Sequence, residues 1–374
     1  MKDYLKVYKA TLHTLSPVFV GSGKELSKKE YLLDLNDGRI IVYDPGKLYI
    51  LMKSLSRSKQ FEEFLLNDRD SSLYNWIRDN GISTKQLESA VRYSIDCGER
   101  LQLGGGKTQV MEFAKDPYGL PYVPGSGIKG MLRTILLASE IMDNRNAYEK
   151  EAQSIRNNRQ KKRSAMSRES NDVEVEAFNT LDRSVDKKVI KKSNAVNDIL
   201  QKIIISDSKP LLLDDLVLCQ KIDRHIDGSE RSLPLMRECL KPGVDIEFTI
   251  TIDTQDCKYD DAVIMDCISR FVQMYQTDFL GKFKLSPINT DTVFLGGGVG
   301  FVSKTFIYPM FPGDEGVKVA SKVFEDTLPE KVYYMHKHQN DIRNGLSPHV
   351  LKCTRYQGNL YQMGACRFSM EQIN

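Results

Sequence analysis

The 374-residue chain has seven cysteines, Cys97, Cys219, Cys239, Cys257, Cys267, Cys353 and Cys366, and no two of them form a C-x-x-C pair. The odd number and scattered spacing suggest neither a zinc ribbon nor a disulfide framework, and reduced thiols in a cytosolic compartment are expected. No run approaches the ~20 apolar residues of a membrane span. The opening MKDYLKVYKATLHTL lacks the apolar core of a signal peptide, so a cytoplasmic protein without membrane contact is expected. Charge of one sign is lacking too: the net charge is +3, so any nucleic-acid-binding surface must be local. Tryptophan occurs once, against 17 Tyr and 15 Phe, most of which are expected in cores.

Reaction signatures are also missing. No G-x-S-x-G string is present. LGGGKTQ at 103–109 would need glycine at 101 to be a P-loop, and the residue is Leu101. FLGGGVGF at 294–301 fails the dinucleotide fingerprint because its last position is Phe301. His336 and His338 share a face only on a strand, and no spacing supplies the carboxylates of a metal site. Asp214-Asp215 and Asp260-Asp261 read as caps or surface. No catalytic centre, cofactor or metal is expected.

What is present is a mixture of strand and helix signals. Residues 4–15 read as a strand. YLLDL and RIIVYD flank Asn36-Asp37-Gly38, a hairpin signal. Asp44 followed by Pro45 reads as a helix cap and first turn. Residues 59–80, 84–92 and 260–280 read as helices, and ILQKIIISDS, VDIEFTITID and the two runs flanking Gln357-Gly358-Asn359 as strands. From Arg156 to Arg168, both included, there are six basic residues and no acidic one, and apolar residues thin out from 144 to 172. That stretch reads as a solvated, disordered loop or as an arm touching RNA or a partner. The halves together read as two α+β domains, each an antiparallel sheet with helices on one face.

The strongest motif is PYVPGSGIKGMLR at 121–133. Pro124 and Gly125 form a turn, and Gly127 permits close backbone approach. A helix start leaves unpaired N–H groups that favour an anion. Ile128, Leu132 and Ile135 fall on one stripe, with Lys129 and Arg133 one turn apart beside it. A bound phosphate and a plain cap with solvated cations both fit. Lys304, after the glycines at 296–300, is placed to meet a phosphate. Phe19 and Phe301 flank glycine loops, where stacking on bases and core packing are both open readings. His13, on the first strand, could serve as a general base or be structural.

TLSPVFVGSG (14–23), YVPGSGIKGMLR (122–133), IIISDS (203–208), FLGGGVGFVSKT (294–305) and KCTRYQGNLYQMGAC (352–366) occur in the order seen in RAMP-superfamily CRISPR proteins. The chain resembles that superfamily over essentially its whole length. Its first and last motifs are most similar to the fifth-subunit family of the type III-A Csm effector complex. The resemblance implies two ferredoxin-like (RRM-like) RAMP domains with helical insertions, at 1–198 and 199–374, with the basic insertion near 144–192. It implies a non-catalytic subunit that caps the 3′ end of the crRNA and supports crRNA maturation by other nucleases. Implied partners are crRNA and the backbone RAMP subunit (the third Csm subunit), with the small helical subunit and host nucleases beyond. Implied RNA-binding residues are Gly21, Ser22, Gly23, Gly125, Ser126, Gly127, Lys129, Arg133, Gly296, Gly297, Gly298, Gly300 and Lys304. The RRM stacking string is absent, so reading of bases on a sheet face is not expected. A crRNA-processing endoribonuclease with His13 as base is the alternative.

Overall fold

A computed structural model describes residues 4–67, 71–102, 108–158, 160–162, 164–185 and 188–373. The glycine string at 103–107 lies outside them.

β1 (Leu5–Thr14) buries Tyr8, Ala10, Leu12 and Thr14, the alternate residues of a strand with one face on a core. β2 (Gly21–Glu25) follows. β3 (Tyr31–Asp34) and β4 (Arg39–Tyr43) form the expected hairpin, turned by Gly38 at φ 63°. Asp44 caps α1 (Pro45–Ser54), its carboxylate accepting from the Lys47 amide at 2.8 Å. The helix expected over 59–80 is two helices, α2 (Ser58–Leu66) and α3 (Leu73–Asp79). β5 (Val91–Asp96) completes a sheet ordered β3-β4-β5, which shares a small core of its own with α1–α3.

β6 (Gln109–Phe113) precedes α4 (Gly125–Asp143), whose Ile128, Leu132 and Ile135 form the expected buried stripe. Burying each contributes about 1.5–3 kcal/mol. α5 (Glu149–Asn157) and α6 (Ser167–Phe178) occupy most of the stretch expected as a solvated loop. Tyr148, Ile155, Val173 and Phe178 are buried there, sparse apolar anchors at helical spacing among many charges. Two of its described cations have partners elsewhere in the chain: Arg156 meets Glu149 and Glu315 at 3.0 and 2.8 Å, and the exposed Lys161 lies 3.6 Å from Glu325.

β7 (Ser184–Val185), β8 (Lys188–Val189) and β9 (Ile203–Ile205) are short. β10 (Leu216–His225) and β11 (Glu230–Leu240) make a long hairpin, and β12 (Asp245–Asp253) leads to α7 (Asp261–Asp278), capped by Asp260. Then come β13 (Thr292–Phe294), α8 (Ile307–Met310), α9 (Asp314–Thr327), α10 (Glu330–Met335) and α11 (Asp341–Asn344). β14 (Val350–Tyr356), β15 (Asn359–Gln362) and β16 (Ala365–Gln372) close the chain.

Two main sheets result, ordered β13-β16-β1-β12-β9 and β15-β14-β10-β11-β6-β2. α4 packs on α7 and on β9 of the first sheet. β1 sits between β12 and β16, and β6 pairs in parallel with β11, so each main sheet takes strands from both sides of residue 198. The expected boundary at 198/199 therefore is not a break in strand pairing. The mixed α and β character is as expected. Among the described residues no helix is long and apolar enough to cross a membrane.

Candidate nucleic-acid interface

Three motifs distant in sequence meet beside the end of β11. Val18 exchanges two backbone hydrogen bonds with Leu240, at 2.8 and 3.1 Å. The Phe19 carbonyl accepts from the Gly297 amide at 2.7 Å, and the Pro17 carbonyl from the Gly364 amide at 2.9 Å. The segment 16–20 is thus pinned between the glycine loop after β13 and the turn before β16. Gly296 shows why glycine is needed: its φ is 85°, and a Cβ would lie 2.1 Å from the Phe19 carbonyl oxygen. Gly297 and Gly298 press on Phe19 and on Arg237, and Gly21 on the Phe19 ring. Only Gly23 and Gly300 of these loops face open space. Ser22 is exposed on β2 and donates to Glu112 at 3.1 Å. Phe19 is buried and Phe301 packs on Phe324, so both rings have partners inside the fold.

Arg237, on β11, is the residue the motifs did not reveal. Its guanidinium lies over the Phe19 ring, 5.3 Å from the centroid, and its Nη1 reaches the Met363 sulfur at 3.4 Å. Its Nε is buried without a partner, and among the described residues no carboxylate pairs with it. Burial lowers its pKa. Lys115 shows what the fold does with a buried cation elsewhere: it is 4% exposed and held by Glu238 at 2.5 Å and Glu112 at 3.8 Å. Lys221 on β10 feels the charges of both Arg237 and Lys352, the latter on β14. The pKa of Lys221 is pushed down to about 8 by burial first, then by the Lys352 charge, with Arg237 adding to the depression. Among the described residues one carboxylate pairs with the two lysines: Asp223, 2.9 Å from Lys352 and 4.0 Å from Lys221. Three cations on adjacent strands with one anion leave a local excess of positive charge. The only sequence signal for it is an arginine and a lysine at inward positions of strands, visible once strand pairing is known.

The start of α4 is arranged differently. The Gly125 amide already has its anion: Asp207 Oδ1 accepts from it at 2.7 Å. A Cβ on Gly125 would lie 2.5 Å from the Ile205 carbonyl oxygen, so glycine is required there by the chain after β9. Arg133 is gripped by Glu174 at 2.8 Å and Asp198 at 2.7 Å and lies over Phe178. Burial alone would lower its pKa, but the two carboxylates hold it above the usual value. Lys129 gives one proton to the Ile203 carbonyl at 2.9 Å, and burial lowers its pKa. Ser126 and Gly127 are exposed, and nothing lies within 4 Å of a Cβ placed on Gly127 or Gly130.

Arg133 and Lys304 line one cavity of about 180 Å³ with Leu137, Met166 and Phe301. Lys304 has no ion pair among the described residues, and desolvation lowers its pKa. His13 lies on β1, in the other main sheet from Arg237, with its Nδ1 2.7 Å from Asp245 Oδ1. Folding also brings together three residues that sequence spacing did not link: the donor atoms of His338, Asp341 and His349 lie within 4.8 Å of one another ahead of β14.

The RAMP superfamily model matches residues 11–261. The CRISPR system Cms protein Csm5 of Mycobacterium tuberculosis (strain ATCC 25618 / H37Rv) is 30% identical over 405 residues, covering 100% of each chain. The chain belongs to the Csm5 family of the RAMP superfamily. The Csm5 protein of Streptococcus thermophilus is 27% identical over 320 residues, covering 82% of this chain and 81% of its own. Among solved structures, one chain of a cryo-EM Csm–crRNA–target RNA ternary complex from a type III-A CRISPR-Cas system superposes with a TM-score of 0.61 at 19% identity. That match covers 97% of this chain and 100% of the other. The crystal structure of T. onnurineus Csm5 gives a TM-score of 0.61 at 18% identity, covering 96% and 99%. These two likenesses show the fold.

Proposed function

We propose that this chain is a non-catalytic, RNA-binding subunit of a type III-A CRISPR effector complex. In this reading it caps the 3′ end of the crRNA, docks on the third Csm subunit, and supports crRNA maturation by other nucleases. The small helical subunit and host nucleases are further partners in the same reading. The observation that carries RNA binding is Arg237: a desolvated guanidinium with no ion pair among the described residues, near Lys221 and where three motifs meet. A cation excess of this kind is stabilised by an anion arriving from outside, and a phosphodiester is the anion an RNA offers. Recognition is through phosphates, so it tolerates sequence.

In this reading Gly21–Gly23, Ser126, Gly127, Lys129, Gly300 and Lys304 approach RNA, while Gly125, Arg133 and Gly296–Gly298 shape the loops from inside, where each has close partners within the chain. The His13–Asp245 pair gives the endoribonuclease alternative an oriented imidazole, and a His13→Ala variant that still yields normal crRNA removes it. The test of the main reading is to purify the complex through a tag on this subunit and sequence the RNA retained. Short RNAs with a common 5′ tag and graded 3′ ends, at about one chain per complex, support it. RNA of no common type, or none, contradicts it.

A further inference from the structure

Four of the five histidines of the chain converge where α10 and α11 meet the start of β14. Ring centroids lie 5.6 Å apart for His225 and His349, 5.6 Å for His349 and His338, and 6.2 Å for His338 and His336. The middle two share Asp341. His338 Nδ1 is 3.0 Å from Asp341 Oδ2, and His349 Nδ1 is 2.5 Å from Oδ1. The Ser347 hydroxyl donates to Oδ2 at 2.7 Å. Asp341 is 0% exposed, and both imidazoles are buried. Phe324 stacks on His338 at 4.5 Å, closing the site on that side.

This carboxylate lacks a permanent counter-charge. Its ion-pair partners among the described residues are these two imidazoles, with no lysine or arginine. A buried carboxylate between two neutral rings leaves a full negative charge out of water, which is unfavourable unless a cation joins it.

We propose that His338, Asp341 and His349 bind a zinc-type divalent cation. Their donor atoms all lie within 4.8 Å of one another. Zinc bonds of about 2.0–2.2 Å put tetrahedral donors about 3.4 Å apart, so each imidazole moves by less than about 1 Å to accept the ion. Two nitrogens and one oxygen form a borderline donor set that suits zinc better than calcium or magnesium, which favour oxygen alone. Each ring ligates through Nδ1 and keeps its proton on Nε2. Ser347 orients the carboxylate from outside, and a water fills the fourth position. The ion joins the α10–α11 segment to β14, the strand that carries Lys352.

The experiment uses the full chain without a polyhistidine tag, grown with zinc and dialysed into metal-free buffer at pH 8. Alkaline buffer limits the competition of protons with the metal for the ligand atoms. Elemental analysis is expected to find about one zinc per chain. His349→Ala and Asp341→Asn are expected to bind at least tenfold more weakly. Chelation is expected to lower the melting temperature of the wild-type chain, and added Zn2+ to restore it, a readout that stands even if the variants do not fold. Wild-type protein without zinc, and with no melting shift on adding Zn2+, overturns the proposal. So does zinc retained undiminished by both variants, which places the ion elsewhere.

Discussion

The start of α4 and the junction around Arg237 both set positive charge beside glycine, and they use it differently. At α4 the helix-start amide, Arg133 and one proton of Lys129 are bonded to Asp207, to Glu174 and Asp198, and to a carbonyl. At the junction Arg237 has an aromatic ring and a sulfur but no ion pair among the described residues. A phosphate arriving at α4 must compete with anions of the chain itself. At the junction it meets unspent charge. A motif that looks made for a ligand can thus be a tie within the fold, and the open site can lie on strands with no motif.

The largest effect expected concerns the scaffold of the junction. Gly296→Ala forces a left-handed φ on alanine and drives its Cβ into the Phe19 carbonyl. A loss of about 3 kcal/mol or more is expected from denaturant titration. A variant as stable as wild type would mean the junction is looser than described.

Next, Arg133→Ala is expected to cost about 1–2 kcal/mol, since the ion pairs are only partly buried, while RNA affinity stays unchanged. The reverse pattern would return Arg133 to the RNA site. Arg237→Ala is expected to behave oppositely, weakening RNA binding about tenfold, equally for unrelated sequences, in filter-binding assays. Selective loss for one sequence would argue for base reading.

Gly127→Ala has open space and is expected to stabilise the isolated chain by up to about 1 kcal/mol. If the variant also fails to assemble, a partner or RNA presses on that turn. The smallest effect is the pH response of Lys221, whose pKa is about 8 in the fold against an ordinary value of 10.5. Between those values the unfolded chain holds more protons, so stability rises with pH from about 8 to 10.5. RNA binding runs the other way, falling about threefold from pH 7 to 9 as the ammonium is lost. Lys221→Arg is expected to flatten that fall, and an unchanged profile would remove Lys221 from the interface.

Local structure was legible wherever the signal is local. The Asn36–Gly38 hairpin, the Asp44 cap and the α4 stripe follow from spacing alone, and all are observed. The helices at 149–178 were hidden because Tyr148, Ile155 and Phe178 are few among many charges, and periodicity is weak when anchors are sparse. β1 pairs with strands about 240 and 360 residues away, which no local pattern encodes. The same is true of the sites. The glycine loops could be seen, but that Gly296 faces Phe19 and that Arg237 has no ion pair among the described residues depends on which strands adjoin. Asp341 sits within a few residues of His338 and His349, yet the cluster forms only because a turn reverses the chain before β14.

The most direct test measures the salt dependence of single-stranded RNA binding for the wild-type chain, Arg237→Ala and Arg133→Ala side by side. The account predicts that the slope of log K against log salt drops by about 0.7, one phosphate contact, in Arg237→Ala and is unchanged in Arg133→Ala. A slope lost in Arg133→Ala and kept in Arg237→Ala would contradict it.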